Sequence, residues 1–205
     1  MQDNKGFTLL ELMIVIAILA ILAAVVVFAL NPAQLMARAR DSQRISDLQA
    51  LTTAINYFTV ISPTPYLDNA TNSTCKGIAT TATIYATVTS ATAPGGAFAY
   101  NTTGVTSRAM DGSGWLKVNF AATGETPLAQ LPWDPSNGGV AGSPSTYYAF
   151  VCSSTGAYEI NTSLESNSYK PQEGTDGGDL ATVYEVGTSL TIAPSATSAG
   201  WFPND

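Results

Sequence analysis

The 205 residues are enough for one domain with a packed core plus an appendage, and although 45% are hydrophobic, the longest apolar run is confined to about the first thirty positions. Only 11% of residues are charged, the net charge is −7, and most acids follow residue 110, so no basic face is available for phosphates and direct nucleic-acid binding is not expected. The absence of histidine removes the usual imidazole base, no Gly-rich loop opens a helix after a strand, and no serine has a plausible triad partner, which argues against an enzyme.

Phe7 to Leu30 contains two polar side chains, Thr8 and Glu11. As a helix at about 1.5 Å per residue this run extends ~36 Å, more than the ~30 Å hydrocarbon core of a bilayer, so it can cross a membrane. A secretory signal peptide fits poorly, because such apolar regions usually span only about 7 to 15 residues before a small-x-small site. The candidate here, Ala37-Arg38-Ala39, lies beyond the run and contains an arginine. A plain anchor leaves Glu11 unexplained: a carboxylate inside a spanning helix costs about 2.5–3.5 kcal/mol on insertion scales and calls for a partner. The alternative places Glu11 near the headgroups, where it snorkels.

Pro32 predicts a kink or break near Asn31. Helical spacing then resumes, with Ile45, Leu48, Leu51, Ile55 and Phe58 on one stripe facing a core, and Arg40, Arg44, Asp47 and Asn56 largely off it. Arg38, Arg40 and Arg44 are expected to be solvated or to face lipid headgroups. Counted against Lys5 and the initial amine, they would by the positive-inside rule alone lie in the cytoplasm. The sequence SPTPYLDNATNST ends the helix. Short strands are predicted at 81–89, 115–120, 145–152, 157–161, 181–186 and 189–193, with hairpin turns at SSTG and VGTS.

The two cysteines, Cys75 and Cys152, lie in the polar part and suggest one disulfide closing a long loop, with a contribution of about 2–4 kcal/mol; two separate buried thiols are the alternative. Without CxxC spacing they offer no zinc site. The loop EGTDGGDL presents Glu173, Asp176 and Asp179 as candidate Ca2+ ligands, against the simpler reading of a solvated acidic turn. No other cofactor is expected. Pro132-Trp133-Asp134-Pro135 reads as a rigid turn, and Asn69, Asn72, Asn101 and Asn161 begin N-x-Ser/Thr patterns of the kind that arise by chance in a Ser/Thr-rich chain.

The stretch KGFTLLELMIVIAILAILAAVV resembles the leader and N-terminal helix of type IV pilins and type II secretion pseudopilins. The resemblance implies cleavage by prepilin peptidase between Gly6 and Phe7, methylation of the new Phe7 amine, and pairing of Glu11 with the Phe7 amine of a neighbouring subunit. It also implies a leader in the cytoplasm, a head outside, and a homo-oligomeric helical filament built by an assembly platform and ATPase from subunits held in the membrane. Expected segments are a leader (1–6), a hydrophobic filament-core helix (7–31), an amphipathic helix (32–60) and a head (61–205). The expected fold is α+β, a long helix with an exposed apolar half whose second half packs on an antiparallel sheet. Many type IV pilins interrupt the apolar half with Gly or Pro; here Pro32 comes only at its end. The segment from LPWDPSNGG to NTSLES resembles more loosely the sheet region of major pseudopilins, a class with calcium in a C-terminal loop, while residues 68–130 have no identified counterpart. Three readings follow: a pilus subunit, a major pseudopilin, or a membrane-anchored extracytoplasmic binding protein that does not polymerise.

Overall fold

The computed structural model describes residues 6–68, 83–87, 99–101, 107–136 and 146–192. Helix α1 (Leu9–Leu30) starts with a reciprocal cap. The Thr8 hydroxyl oxygen accepts from the Glu11 N–H at 3.2 Å, and the Glu11 carboxylate accepts from both the Thr8 N–H and hydroxyl at 2.9 Å. This capping box satisfies two donors that a helix start leaves without partners. Every described side chain of α1 is exposed.

The helix stops at Asn31, whose φ of 41° is the only positive value outside glycine among the described residues. Pro32 disfavours a helical conformation in the residue before it, and asparagine tolerates the left-handed one. Asn31 then caps α2 (Pro32–Ile61), accepting from the Gln34 N–H at 3.4 Å, with Pro32 where a missing N–H does no harm. The inward face of α2 carries Ala37, Asp41, Arg44, Leu48, Leu51, Ala54, Ile55 and Phe58, at successive spacings of mostly three and four. Ile45, expected on that face, is half-buried at its border, while Arg44 is on it.

Five strands, β1 (Thr83–Ala86), β2 (Ala99–Asn101), β3 (Ala149–Cys152), β4 (Tyr158–Thr162) and β5 (Tyr184–Gly187), form one sheet in the order β2-β1-β3-β4-β5. The pairs β1–β3, β3–β4 and β4–β5 are antiparallel. The expected α+β fold is therefore present, with one departure: β2 pairs parallel to β1. The twelve residues between Ala86 and Ala99 suffice for the crossover that parallel pairing needs.

Period-two alternation divides the sheet into two faces. Phe150, Ile160 and Val186, in register across β3, β4 and β5, face α2 and join a core with Leu48, Leu51, Ile55, Phe58, Trp115 and Tyr158. Ala149 and Val151 belong to a second core with Ile84, Ala86, Leu180, Val183 and Ile192. Two predicted strands do not form. Trp115, Leu116 and Val118 are buried, but the Trp115 N–H donates to the Ser107 carbonyl at 3.0 Å, and the backbone tightens into a 3-10 turn at Phe120–Thr123. These side chains plug the core without entering a ladder. Near 189, the N–H groups of Thr188 and Ser189 both turn to the Tyr158 carbonyl, at 2.9 and 3.4 Å, closing off the strand.

Candidate functional site

The N-terminal end stands clear of the rest of the chain. Gly6 and Phe7 precede α1 in non-helical backbone, and a Cβ at Gly6 would meet nothing within 4 Å. Phe7 is 84% exposed, so the bond between them is open to an enzyme. In Glu11, Oε2 accepts both Thr8 bonds, while Oε1 has no hydrogen-bond partner among the described residues. A carboxylate has about four lone-pair sites, so a second donor can be accommodated. The T-x-x-E spacing ahead of an apolar run is the sequence signal of this cap. Leu9–Val27 has mean hydropathy 3.1 and none of it is buried, which makes α1 long and apolar enough to cross a bilayer.

A second cluster fixes α2 to the head. Arg44 is fully buried, which corrects the expectation that it is solvated. Its Nη1 donates to Asp41 at 2.7 Å, its Nε to Asp134 at 2.7 Å, and its Nη2 to Asp134 at 3.1 Å and to Thr146 at 2.8 Å. Ser136 and Glu165 complete the shell around Nη2. Arg40 Nε donates to both Glu165 oxygens at 3.1 Å, so Arg40 too is engaged with the head, whereas Arg38 is exposed as expected. Asp41 accepts from the backbone N–H of Glu165 at 3.0 Å and of Ser166 at 2.7 Å.

Burial alone would expel these charges; mutual pairing retains them. Burial opposes ionisation of Glu165, but the Arg40 and Arg44 guanidiniums hold its carboxyl down at about 2. Burial likewise opposes the Arg44 cation, and Asp134 and Glu165 outweigh it, leaving the guanidinium harder to deprotonate than in water. Apart from Asp41, the partners of Arg44 are 90 to 121 residues away in sequence, which is why α2 read alone could not reveal them.

Cys152, at the end of β3, is disulfide-bonded; the chain's other cysteine, Cys75, lies outside the described residues. The acidic residues of the C-terminal loop turn to separate tasks. Glu173 is buried and accepts from the Leu164 N–H at 2.6 Å, Asp176 accepts from Gly178 at 2.9 Å and Glu185 at 2.7 Å, and Asp179 is exposed. Among the described residues no three His, Cys, Asp or Glu side chains gather as metal ligands. Of the Asn-x-Ser/Thr positions, Asn161 is fully buried within β4 and closed to a glycan, Asn69 and Asn72 lie outside the described residues, and Asn101 ends β2.

Residues 1–27 match the family model described as the prokaryotic N-terminal methylation motif. Over 83 residues the chain is 39% identical to Fimbrial protein Q of Moraxella bovis, an alignment covering 40% of this chain and 52% of that protein. The chain thus spans about half the length of the curated relative it matches. No solved structure matches it.

Proposed function

We propose that the chain is the subunit of a type IV pilus-like filament, anchored in the cytoplasmic membrane as a precursor and polymerised through α1. One observation carries this reading: an N-terminal methylation motif sits on an apolar helix that the rest of its own chain leaves wholly exposed. A helix of this kind needs either lipid or copies of itself around it.

Cleavage after Gly6 by a prepilin peptidase would free the Phe7 amine at the start of α1, where the free oxygen of Glu11 can accept a hydrogen bond from a neighbouring subunit's ammonium. An unpaired charge in an apolar bundle is strongly disfavoured, so the pair selects one axial register between neighbours. Lipid and helix bundle are similarly apolar, and extraction from the membrane therefore calls for an ATP-driven assembly platform. The leader faces the cytoplasm and the disulfide-bonded head the oxidising exterior.

The test compares wild type with Glu11→Ala. Sheared surface material imaged by electron microscopy and immunoblotting should contain filaments in the wild type and none in the variant, while both are still found in the membrane. Mass spectrometry of the mature chain should begin at a methylated Phe7. Filaments of undiminished number in Glu11→Ala, or a mature N-terminus elsewhere, would overturn the reading.

A further inference from the structure

Three arginines follow α1, and the head treats them differently. Arg44 is enclosed by Asp41, Asp134 and Glu165, and Arg40 is paired with Glu165, so in the folded head neither acts as a free cation. Arg38 is exposed and has no ion-pair partner among the described residues. Polymerisation through α1 gives it no task.

Arg38 has apolar company. Leu35 and Met36, at the start of α2, are 46% and 62% exposed and belong to neither core. The stripe that α2 turns toward the head runs through Ala37, Asp41 and Arg44. Leu35 is on the opposite side of the helix from Ala37, and Arg38 follows it one turn later on that outward side. The next exposed large hydrophobics of α2 are Tyr57, Val60 and Ile61, at its far end. The apolar surface of α1 is thus resumed past the break at Asn31 and stops at a cation.

Helix length places that cation at a membrane surface. With Glu11 at the inner edge of the hydrocarbon, Leu12 to Asn31 extend about 30 Å at ~1.5 Å per residue, which fills the hydrocarbon core and sets Asn31 at its outer edge. Leu35 then lies about 6 Å further out and Arg38 about 10 Å, against a headgroup layer about 5–7 Å deep on each side. Helix side chains lean toward the N-terminus, here back toward the bilayer, and the long arginine side chain closes the remaining gap. A tilt of α1 or a bend at Asn31 lowers these heights further.

We infer that the first two turns of α2, residues 32–39, form an interfacial collar, in which Leu35 and Met36 pack into the headgroup layer and Arg38 binds the phosphate of an anionic phospholipid on the head's side of the membrane. The collar continues a helix long enough to cross a bilayer, and its cation stands at the height of the phosphates. The chain as a whole has a net charge of −7, so an anionic leaflet repels the head and Arg38 supplies attraction where the two meet. One basic residue at such a surface strengthens association about fivefold, and the effect dies away within a Debye length. Of the three arginines that the positive-inside rule counts against an outside head, the folded head leaves this one free, and the collar gives it a partner there. The collar rests on the membrane-anchored stage of the proposed function and not on polymerisation.

The test uses the full precursor chain at one copy per lipid nanodisc, built from phosphatidylcholine with or without phosphatidylglycerol. Lipid spin-labelled near the headgroup should broaden the methyl NMR signals of Leu35 and Met36 and leave those of Val60 and Ile61, exposed at the far end of α2, unchanged. Phosphatidylglycerol should slow amide exchange over residues 35–38 about fivefold. Arg38→Gln should abolish that response, and Arg38→Lys should keep most of it. Leu35 and Met36 signals broadened no more than those of Val60 and Ile61 would overturn the inference, as would an Arg38→Gln chain that answers to phosphatidylglycerol as wild type does. So would protection of Leu35 and Met36 that arises only when two copies share a disc, since the face would then belong to a second subunit. Spin labels deep in the acyl chains separate the collar from the anchor itself: broadening of Ile18 by these, with none at Leu35 and Met36 from the headgroup label, overturns the collar alone, and no broadening of Ile18 overturns both.

Discussion

The two helices are joined at one residue and solve opposite problems. Helix α1 is almost wholly apolar and its described side chains are all exposed, while α2 places two charged residues, Asp41 and Arg44, on the face it buries. Hydrophobicity alone would assign burial the other way round. The difference shows that α1 is written for surroundings the single chain does not supply, whereas α2 is written for the head, whose Asp134 and Glu165 join the helix's own Asp41 around its buried arginine.

The sharpest way to break this contrast is Arg44→Ala. It leaves Asp41 and Asp134 as buried anions with no guanidinium between them, and should remove about 3–5 kcal/mol of head stability in urea unfolding. Arg44→Met, which keeps the volume, should destabilise by less if Asp41 and Asp134 are changed to Asn with it. Leu51→Ala tests the apolar half of the same face and should lose about 2–5 kcal/mol, since Leu51 is fully buried between α2 and the sheet.

Acid should weaken the junction next. Because the folded Glu165 carboxyl is depressed to about 2 from 4.5, its contribution is complete above pH 4.5 and is lost as pH falls through about 2. Glu165→Gln should flatten that part of a thermal-midpoint profile measured from pH 6 to 2. Asn31→Ala loses both the α2 cap and an easy left-handed residue, costing about 1–2 kcal/mol locally, seen as faster amide exchange at Gln34 and Leu35; Asn31→Gly should cost only a few tenths. Smallest of all, Ile18→Ala should change head stability by no more than about 0.5 kcal/mol, because Ile18 is 52% exposed and its helix is outside both cores.

Local signals in the sequence were read successfully where the physics is local. Apolar continuity marked α1, three-four spacing marked α2, and β-branched and aromatic runs located β1, β3, β4 and β5 to within a few residues. Trp115, Leu116 and Val118 defeated the same reasoning because burial and strand pairing leave the same apolar signature, and only the Trp115 N–H bonding a loop carbonyl, that of Ser107, tells them apart. β2 has three residues, too few for an alternating pattern to show. The Arg44 shell failed for another reason. Asp41 at i−3 was visible, but Asp134 and Glu165 lie 90 and 121 residues further along the chain, and an arginine on a helix is ordinarily solvated. At the N-terminal end, by contrast, all the signals lie within seven residues, from Lys5 to Glu11.

The stripe from Ala37 to Phe58 also sets how the head bears a mechanical load. A pull along α2 meets about 30 Å of contact lying parallel to the force, at about 1.5 Å per residue, with the Arg44 cluster at the end nearer α1 and the aromatic packing of Phe58 on Phe120 at the other. Loaded in shear, these contacts resist together instead of peeling apart in turn. Tension arriving through α1 first reaches the charged end, where Asp41 ties the helix directly to the backbone of Glu165 and Ser166, so the head takes up strain through short hydrogen bonds before its apolar core is asked to slide.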